Sequence, residues 1–137
     1  MQQTYPEVEA AIADIIASVT DEELLAMRRA APHILAGWKL DASIHTALIG
    51  STDRNASSYS DEEKLALVCI TNVHAQLRLI FRGSDRAYRW MRASNAAFSG
   101  MSAVELIQGE GLDGLMMIFG YLTRVWATAT GTNRSGC

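Results

Sequence analysis

Hydrophobic residues recur along this chain at helical spacing. Near its beginning, apolar residues stand three or four positions apart and form the stripe Tyr5, Val8, Ile12, Ile15, Ile16 and Val19. A longer stripe in the middle of the chain has the same spacing and consists of Leu65, Val68, Cys69, Val73, Leu77 and Ile80. No stretch alternates apolar and polar residues, as a half-buried strand would. The pattern therefore predicts an all-α protein.

Capping boxes mark the starts of several predicted helices. In each box a Ser or Thr is followed three residues later by Glu, so the two side chains can satisfy free N–H groups at the helix start. The boxes are Thr20–Glu23, Ser60–Glu63 and Ser102–Glu105. Pro32 predicts a boundary at the residue before it, because proline disfavours helical backbone there. Gly50, Gly83 and Gly109 predict helix ends.

A polar, aperiodic stretch over residues 51–58 divides the chain and predicts a loop. We expect an N-terminal helical part over residues 1–58, a second helical unit over residues 60–127, and a mobile polar tail over residues 128–137.

The last predicted helix, from Leu112 to about Ala127, is apolar nearly all round. Its only clearly polar side chains are Asp113, Thr123 and Arg124. A helix of this kind is normally buried on several sides. It is therefore either the central core helix of a small protein, or a helix whose second face meets a partner.

The length, the net charge, the cysteines and the apolar runs of the chain narrow the class of protein. The 137 residues suggest one domain or two very small ones, and the net charge of −3 gives no general attraction to nucleic acid. Cys69 and Cys137 lack metal-site spacing, which favours a reducing cytosol without a disulfide. The N-terminus lacks the features of a secretory signal, and the longest apolar run, Leu115–Leu122, is too short to span a bilayer. These observations predict a cytoplasmic location.

Candidate catalytic groups are few. His33, His45 and His74 are widely spaced, and no cysteine cluster lies near them. The capping-box glutamates already have a structural role at helix starts. The Gly109–Gly111 run lacks the preceding strand and following Lys of a phosphate loop. The sequence therefore predicts no enzyme, no cofactor and no metal site.

Residues 84–102 predict a short helix, a tight polar elbow and the start of another helix. The apolar face of the first helix consists of Ala87, Trp90 and Met91. Asn95 ends this helix because its side chain competes for local backbone groups. Phe98 is a large apolar residue among small ones, and Gly100 permits a backbone conformation that other residues resist.

This ordered set resembles the toxin-binding domain of the Xre/MbcA/ParS-type antitoxins. The matching residues are Trp90, Arg92, Asn95, Phe98, Gly100, Ser102, Leu106 and Ile107. Ser94 and Ala103 stand where the family commonly has proline. The resemblance extends from about Leu77 to Trp126.

The resemblance implies a partner rather than a substrate. In this family the C-terminal domain covers the NAD pocket of a RES-domain toxin, a small enzyme that consumes NAD by ADP-ribosyl transfer or NAD breakdown. Family antitoxins commonly dimerise, so a homodimer within a toxin–antitoxin heterotetramer is expected. The expected toxin-binding residues are Arg89, Trp90, Arg92, Asn95, Phe98, Gly100, Ser102, Tyr121, Arg124 and Trp126.

The family also often carries a helix-turn-helix before the toxin-binding domain. Residues 38–52 resemble the middle of that motif, in a degenerate form. DNA contacts would fall on Lys39, Ser51, Thr52 and Arg54. However, residues 1–58 hold four basic and eight acidic side chains, which is unfavourable for contacts with phosphates. A DNA-binding transcriptional regulator is therefore the alternative function, and a purely structural remnant of the motif stays open.

Positive charge is concentrated elsewhere. Five arginines, namely Arg78, Arg82, Arg86, Arg89 and Arg92, stand against the single carboxylate of Asp85. Either they form a solvated face, or they bind an acidic partner surface or DNA.

Overall fold

The computed structural model describes residues 6–50 and 59–130, without the side chains of residues 6–9, 84 and 126–130. These ranges contain helices and no strand, so the all-α prediction is confirmed there. The helices are α1 (Pro6–Ser18), α2 (Asp21–Gly37), α3 (Ala42–Ile49), α4 (Asp61–Ile80), α5 (Ser84–Arg92), α6 (Ala103–Glu110) and α7 (Leu112–Thr130). A short 3-10 helix, Ala96–Phe98, lies in the elbow between α5 and α6.

Helix α4 is the centre of the molecule. It packs against α1, α2 and α3 on the N-terminal side and against α5 and α7 on the C-terminal side. Its buried residues are Ala66, Leu67, Val68, Cys69, Ile70, Val73 and Leu77. Because α4 shares its surface between both predicted parts of the chain, one hydrophobic core runs through them. The division of the chain into residues 1–58 and residues 60–127 stays a prediction.

Helices α4 and α7 lie side by side and run in the same direction. At one end, Gln76 Nε2 donates a hydrogen bond to Thr123 Oγ1 at 3.0 Å. At the other end, Glu62 of α4 and Leu112 of α7 line one cleft of about 420 Å³. The N-terminal ends of the two helices are therefore neighbours.

Helix α7 is buried on one face and partly exposed on the other. Its buried residues are Leu115, Ile118, Phe119 and Leu122. Met116, Met117 and Tyr121 are half-buried. Gly114 allows α7 to approach α6, because a Cβ atom there would lie 2.5 Å from the carbonyl oxygen of Leu106.

The local signals for helix starts are confirmed, since all three capping boxes form. Gly50, with φ of 67°, ends α3 as predicted. Two predicted ends were wrong. Helix α4 ends at Ile80, and Gly83 instead precedes the first residue of α5. Helix α6 continues through Gly109 to Glu110, and Gly111 with φ of 61° ends it.

The predicted boundary at Pro32 was also wrong, because α2 runs through it to Gly37. An internal proline removes one helical hydrogen bond and costs about 3 kcal/mol in an exposed helix. Here Ala31, Ile34 and Leu35 on both sides of the proline are buried in the core. Their burial outweighs the local preference, since each large apolar side chain contributes about 1.5–3 kcal/mol.

The last helix extends beyond its predicted end at Ala127, to Thr130. The rest of the predicted tail, residues 131–137, lies outside the described residues, as does the whole predicted loop over residues 51–58. Among the described helices, none alone has the length and apolar character needed to cross a membrane.

Candidate functional site

The elbow between α5 and α6 is built around the backbone and side chain of Asn95. Its Oδ1 atom accepts a hydrogen bond from the Ala97 N–H at 2.9 Å. Its own N–H donates to the Met101 carbonyl at 3.1 Å, and its carbonyl accepts from the Gly100 N–H at 2.9 Å. Ser99 and Gly100 both have positive φ, at 58° and 86°. Asn95 therefore closes the turn, and Gly100 supplies a conformation that glycine adopts easily.

Ser102 starts the next helix and is buried, with 4% of its surface exposed. Its Oγ atom accepts a hydrogen bond from the Glu105 N–H at 3.0 Å, and Glu105 Oε1 accepts one from the Ser102 N–H at 2.8 Å. Ser102 thus holds the far side of the elbow in place.

Four aromatic rings pack together beside the elbow, and we call them the aromatic cluster: Phe81, Trp90, Phe98 and Tyr121. Trp90 stacks on Tyr121 with ring centroids 6.0 Å apart. Phe98 meets both rings edge-on, with centroids 6.2 Å from Trp90 and 5.3 Å from Tyr121. Such pairs add about 0.5–1.5 kcal/mol each beyond the burial of their area. The cluster therefore fixes the elbow onto α7.

The aromatic cluster is only partly covered. Phe98 is buried, whereas Phe81, Trp90 and Tyr121 are each half-buried. Leu79 and Met101 are exposed large apolar residues, at 62% and 37%. Half-buried aromatic residues that pack together at the surface of a small protein are typical of a binding site for another molecule.

Helix α5 presents different residues to its two neighbours. Ala87 and Met91 face the core. Residues two apart lie on nearly opposite sides of a helix, so Tyr88 and Trp90 point to opposite sides. Trp90 packs in the aromatic cluster. Tyr88 lies against the end of α2, where a Cβ atom on Gly37 would come within 2.7 Å of its ring.

Arg92 shares the side of α5 that meets α2, because it follows Tyr88 by one helical turn. Its Nη1 atom donates a hydrogen bond to the Gly37 carbonyl at 3.3 Å. Arg92, expected to bind the toxin, therefore has a partner within this chain.

The expected toxin-binding residues thus fall into groups. The structure brings Trp90, Phe98 and Tyr121 together, while Asn95, Gly100 and Ser102 shape the elbow. Arg89 and Arg124 are exposed on α5 and α7. The side chain of Trp126 lies outside the described residues. Whether these residues bind a toxin stays a prediction.

Sequence reasoning missed Phe81 and the exposed pair of Leu79 and Met101. Leu79 lies off the apolar stripe of α4, and this position could have indicated from the sequence that Leu79 is exposed. Phe81 gave no such signal, because its contact with Trp90 at 6.3 Å depends on the turn between α4 and α5.

The expected DNA-binding residues are largely untested. Lys39 is exposed and has φ of 64° in the turn between α2 and α3. Ser51, Thr52 and Arg54 lie outside the described residues. Arg28 is buried and donates from Nη2 to the Gly50 carbonyl at 3.3 Å, so its charge lies inside the protein.

Burial shifts the pKa of two titratable side chains among the described residues, Cys69 and His74. Burial raises the pKa of the Cys69 thiol to about 12, so this cysteine stays protonated and acts as a small apolar residue. Burial, and to a lesser extent the charge of Arg78, lowers the pKa of His74. Residues 6–50 and 59–130 contain no group of three potential metal ligands.

Comparison with known proteins points to one family. Residues 76–125 match the family model described as the antitoxin Xre/MbcA/ParS C-terminal toxin-binding domain. No curated protein and no solved structure matches the chain. The matched range includes the end of α4, the elbow, the whole aromatic cluster and most of α7, so the resemblance found in the sequence is confirmed. The family supports an antitoxin function with a toxin as partner, which is a regulatory rather than an enzymatic role. Over residues 76–125 the chain therefore matches the C-terminal toxin-binding domain of the Xre/MbcA/ParS antitoxins.

Proposed function

We propose that this chain is a cytoplasmic antitoxin that binds a RES-domain toxin and covers the toxin's NAD pocket. The observation that carries the proposal is the match of residues 76–125 to the antitoxin toxin-binding domain. The toxin would consume NAD by ADP-ribosyl transfer or NAD breakdown, as the family resemblance implies. The antitoxin itself would contribute no chemistry to that reaction.

The surface around the aromatic cluster supports this proposal. Trp90 and Tyr121 are half-buried aromatic residues, and aromatic residues, Met and Arg are enriched at the centres of protein interfaces. Leu79 and Met101, which are close in sequence to Phe81 and Phe98 of the aromatic cluster, are exposed apolar residues. Truncating such anchor residues usually costs more binding energy than truncating residues at the rim.

The rigidity of the elbow supports steric inhibition. Asn95 makes four hydrogen bonds within the turn, and Phe98 packs edge-on against both Trp90 and Tyr121. A surface that is already ordered loses little conformational entropy on binding, so more of its contact energy appears as affinity. The elbow and α7 could therefore block a pocket by filling its entrance.

A DNA-binding regulator is the second candidate, because α2 and α3 are joined by a tight turn that exposes Lys39. Two observations favour the toxin. Arg28, one of four basic residues in positions 1–58, is buried. In addition, the turn between α2 and α3 packs against the C-terminal helices: Gln108 Nε2 donates to Asp41 Oδ2 at 2.9 Å.

The test is co-expression with the product of the neighbouring reading frame, which we expect to be a RES-type toxin. We expect the two proteins to co-purify and the NAD-consuming activity of the toxin to fall as antitoxin is added. Mass measurement in solution would show whether the complex is the heterotetramer expected from dimerisation. If the chain shifts its own promoter DNA but leaves the toxin's NAD consumption unchanged, the regulator is the better assignment.

A further inference from the structure

We propose that Arg82, Arg86 and Arg89, which we call the arginine rim, bind an acidic surface of the toxin beside the patch that covers its pocket. This inference rests on the proposed function, because it names the chemistry of the toxin surface that the antitoxin would meet. The arginine rim would set how fast and in which orientation the two proteins associate, and the aromatic cluster would hold them together.

The three arginines of the rim are exposed and have no ion pair within the described residues. Between positions 78 and 92 the only carboxylate is that of Asp85. Charges that stabilised the fold would be expected to pair with carboxylates of the same chain. The arginines of the rim form no such pair within the described residues, so we infer that they interact with another molecule.

The arginine rim borders the aromatic cluster. Arg82 follows Phe81 directly, and Arg89 directly precedes Trp90. Arg86 precedes Trp90 by four residues, so the two side chains are neighbours on one side of α5, with Cβ atoms about 5–6 Å apart. A partly exposed apolar centre with a charged border is the usual arrangement of a protein interface.

The other two arginines of the sequence cluster have different surroundings. Arg92 lies on the side of α5 opposite Trp90 and donates to the Gly37 carbonyl, so it has a partner within the chain that Arg82, Arg86 and Arg89 lack among the described residues. Arg78 lies close enough to His74 to lower the pKa of that histidine, and His74 and Gln76 point to opposite sides of α4. Gln76 contacts α7, so Arg78 points away from α7. The structure thus selects three of the five arginines.

Charge is also separated along the parallel pair α4 and α7. The N-terminal ends of both helices carry exposed carboxylates, including Asp61, Glu62 and Asp113. The arginine rim begins beyond the C-terminal end of α4, about 30 Å from its N-terminal end for a helix of 20 residues. An acidic partner would be repelled by one end and attracted by the other. Such a field orients two proteins before contact and raises the association rate.

An acidic protein surface fits this arrangement better than nucleic acid does. The rim contains three arginines on a chain with a net charge of −3. If three cations contacted phosphates, the logarithm of the DNA-binding constant would fall with the logarithm of the salt concentration with a slope of only about −2.7. This slope is small for a DNA-binding protein. The apolar residues beside the rim also match a protein partner, because protein–DNA interfaces are more polar.

The experiment measures the association rate of the full chain with the RES-type toxin that we expect the neighbouring reading frame to encode, at low and at high salt. Arg86→Glu and Arg89→Glu are made singly and together. We expect the double variant to associate about tenfold more slowly at low salt, with a weaker salt dependence of the association rate.

Arg29→Glu is the matched control, because Arg29 is an exposed helical arginine on α2, far along the chain from the rim. It should change the rate by less than about twofold. Circular dichroism and melting temperature confirm that each variant is folded.

The outcomes separate the two proposals. If the wild-type chain binds no RES-type toxin, the proposed function and this inference both fail. If it binds and the double variant associates at the wild-type rate at low salt, only the arginine rim fails. If the double variant keeps its toxin association rate but no longer shifts promoter DNA, the rim is a nucleic-acid surface and the inference is overturned.

Discussion

The elbow between α5 and α6 and the turn between α2 and α3 are both tight connections, but they present their large side chains differently. In the α2–α3 turn, Trp38 is fully buried and Leu40 is nearly so, at 7% exposed. In the elbow, Phe98 is buried while Met101 is exposed and Trp90 beside it is half-buried. The first connection joins two parts of one core, whereas the second leaves part of its apolar surface exposed.

The two connections also differ in what holds them. The elbow is held by its own hydrogen bonds, through Asn95 and Gly100. The α2–α3 turn also has backbone hydrogen bonds of its own, such as that from the Lys39 N–H to the Ala36 carbonyl. In addition, it is tied to the C-terminal helices through Arg92 on the Gly37 carbonyl and Gln108 on Asp41. This difference suggests that the N-terminal helices support the toxin-binding domain rather than form an independent binding unit.

The largest effect should come from removing the ring that fixes the elbow. Phe98 is 5% exposed and contacts both Trp90 and Tyr121. We expect Phe98→Ala to lower the free energy of unfolding by about 3–5 kcal/mol, measured by denaturant titration. Phe98→Leu, which leaves a smaller cavity, should lose clearly less. Equal and small losses in both variants would show that the aromatic cluster does not hold the elbow.

A second change should weaken binding without unfolding the chain. Arg124 is exposed on α7 and follows Tyr121 by three residues, so the two side chains lie on the same part of the helix surface. We expect Arg124→Ala to weaken toxin binding by about 1–2 kcal/mol, measured by titration calorimetry, if it is an anchor of the interface. The melting temperature should stay near that of the wild type. Arg29→Ala on α2 serves as the control and should bind normally.

A third, smaller effect tests whether the α2–α3 turn is coupled to the toxin-binding domain. Asp41 and Gln108 form an exposed hydrogen bond of 2.9 Å between residues 67 positions apart. A double-mutant cycle with Asp41→Ala and Gln108→Ala should give a coupling energy of about 0.5–1 kcal/mol in unfolding experiments. Toxin affinity should change little. Coupling near zero would mean that this bond does not hold the turn in solution.

The sequence predicted those features that depend on near neighbours along the chain. Three capping boxes form because each needs residues only three positions apart. The order of residues in the elbow likewise indicated its shape, since Asn95 and Gly100 act within the same turn.

Features that depend on distant residues were beyond reach of such patterns. The parallel arrangement of α4 and α7 and the close approach of Gly37 to Tyr88 follow from packing of the whole chain. Pro32 shows the same limit, because burial of its neighbours overrides a local preference. Among the expected site residues, the sequence could show neither that the rings of Trp90 and Tyr121 stack nor that Arg92 has an internal partner.

The smallest effect concerns pH and separates stability from binding. Burial lowers the pKa of His74 in the folded chain below its usual value of 6.5, so the unfolded chain takes up a proton first as pH falls. The contribution of His74 to the free energy of unfolding should therefore be fully present above about pH 6.5 and decrease below it, until the folded chain is protonated as well. We expect a small decrease, since His74 is only partly buried. His74→Gln should reduce this dependence when melting temperatures are compared between pH 7.5 and pH 5.5.

Because His74 lies on the side of α4 opposite Gln76, and Gln76 contacts α7, the same substitution should leave the association rate with the toxin at pH 7.5 unchanged. A slower association in His74→Gln would place this side of α4 in the interface and remove the distinction between a supporting and a binding side.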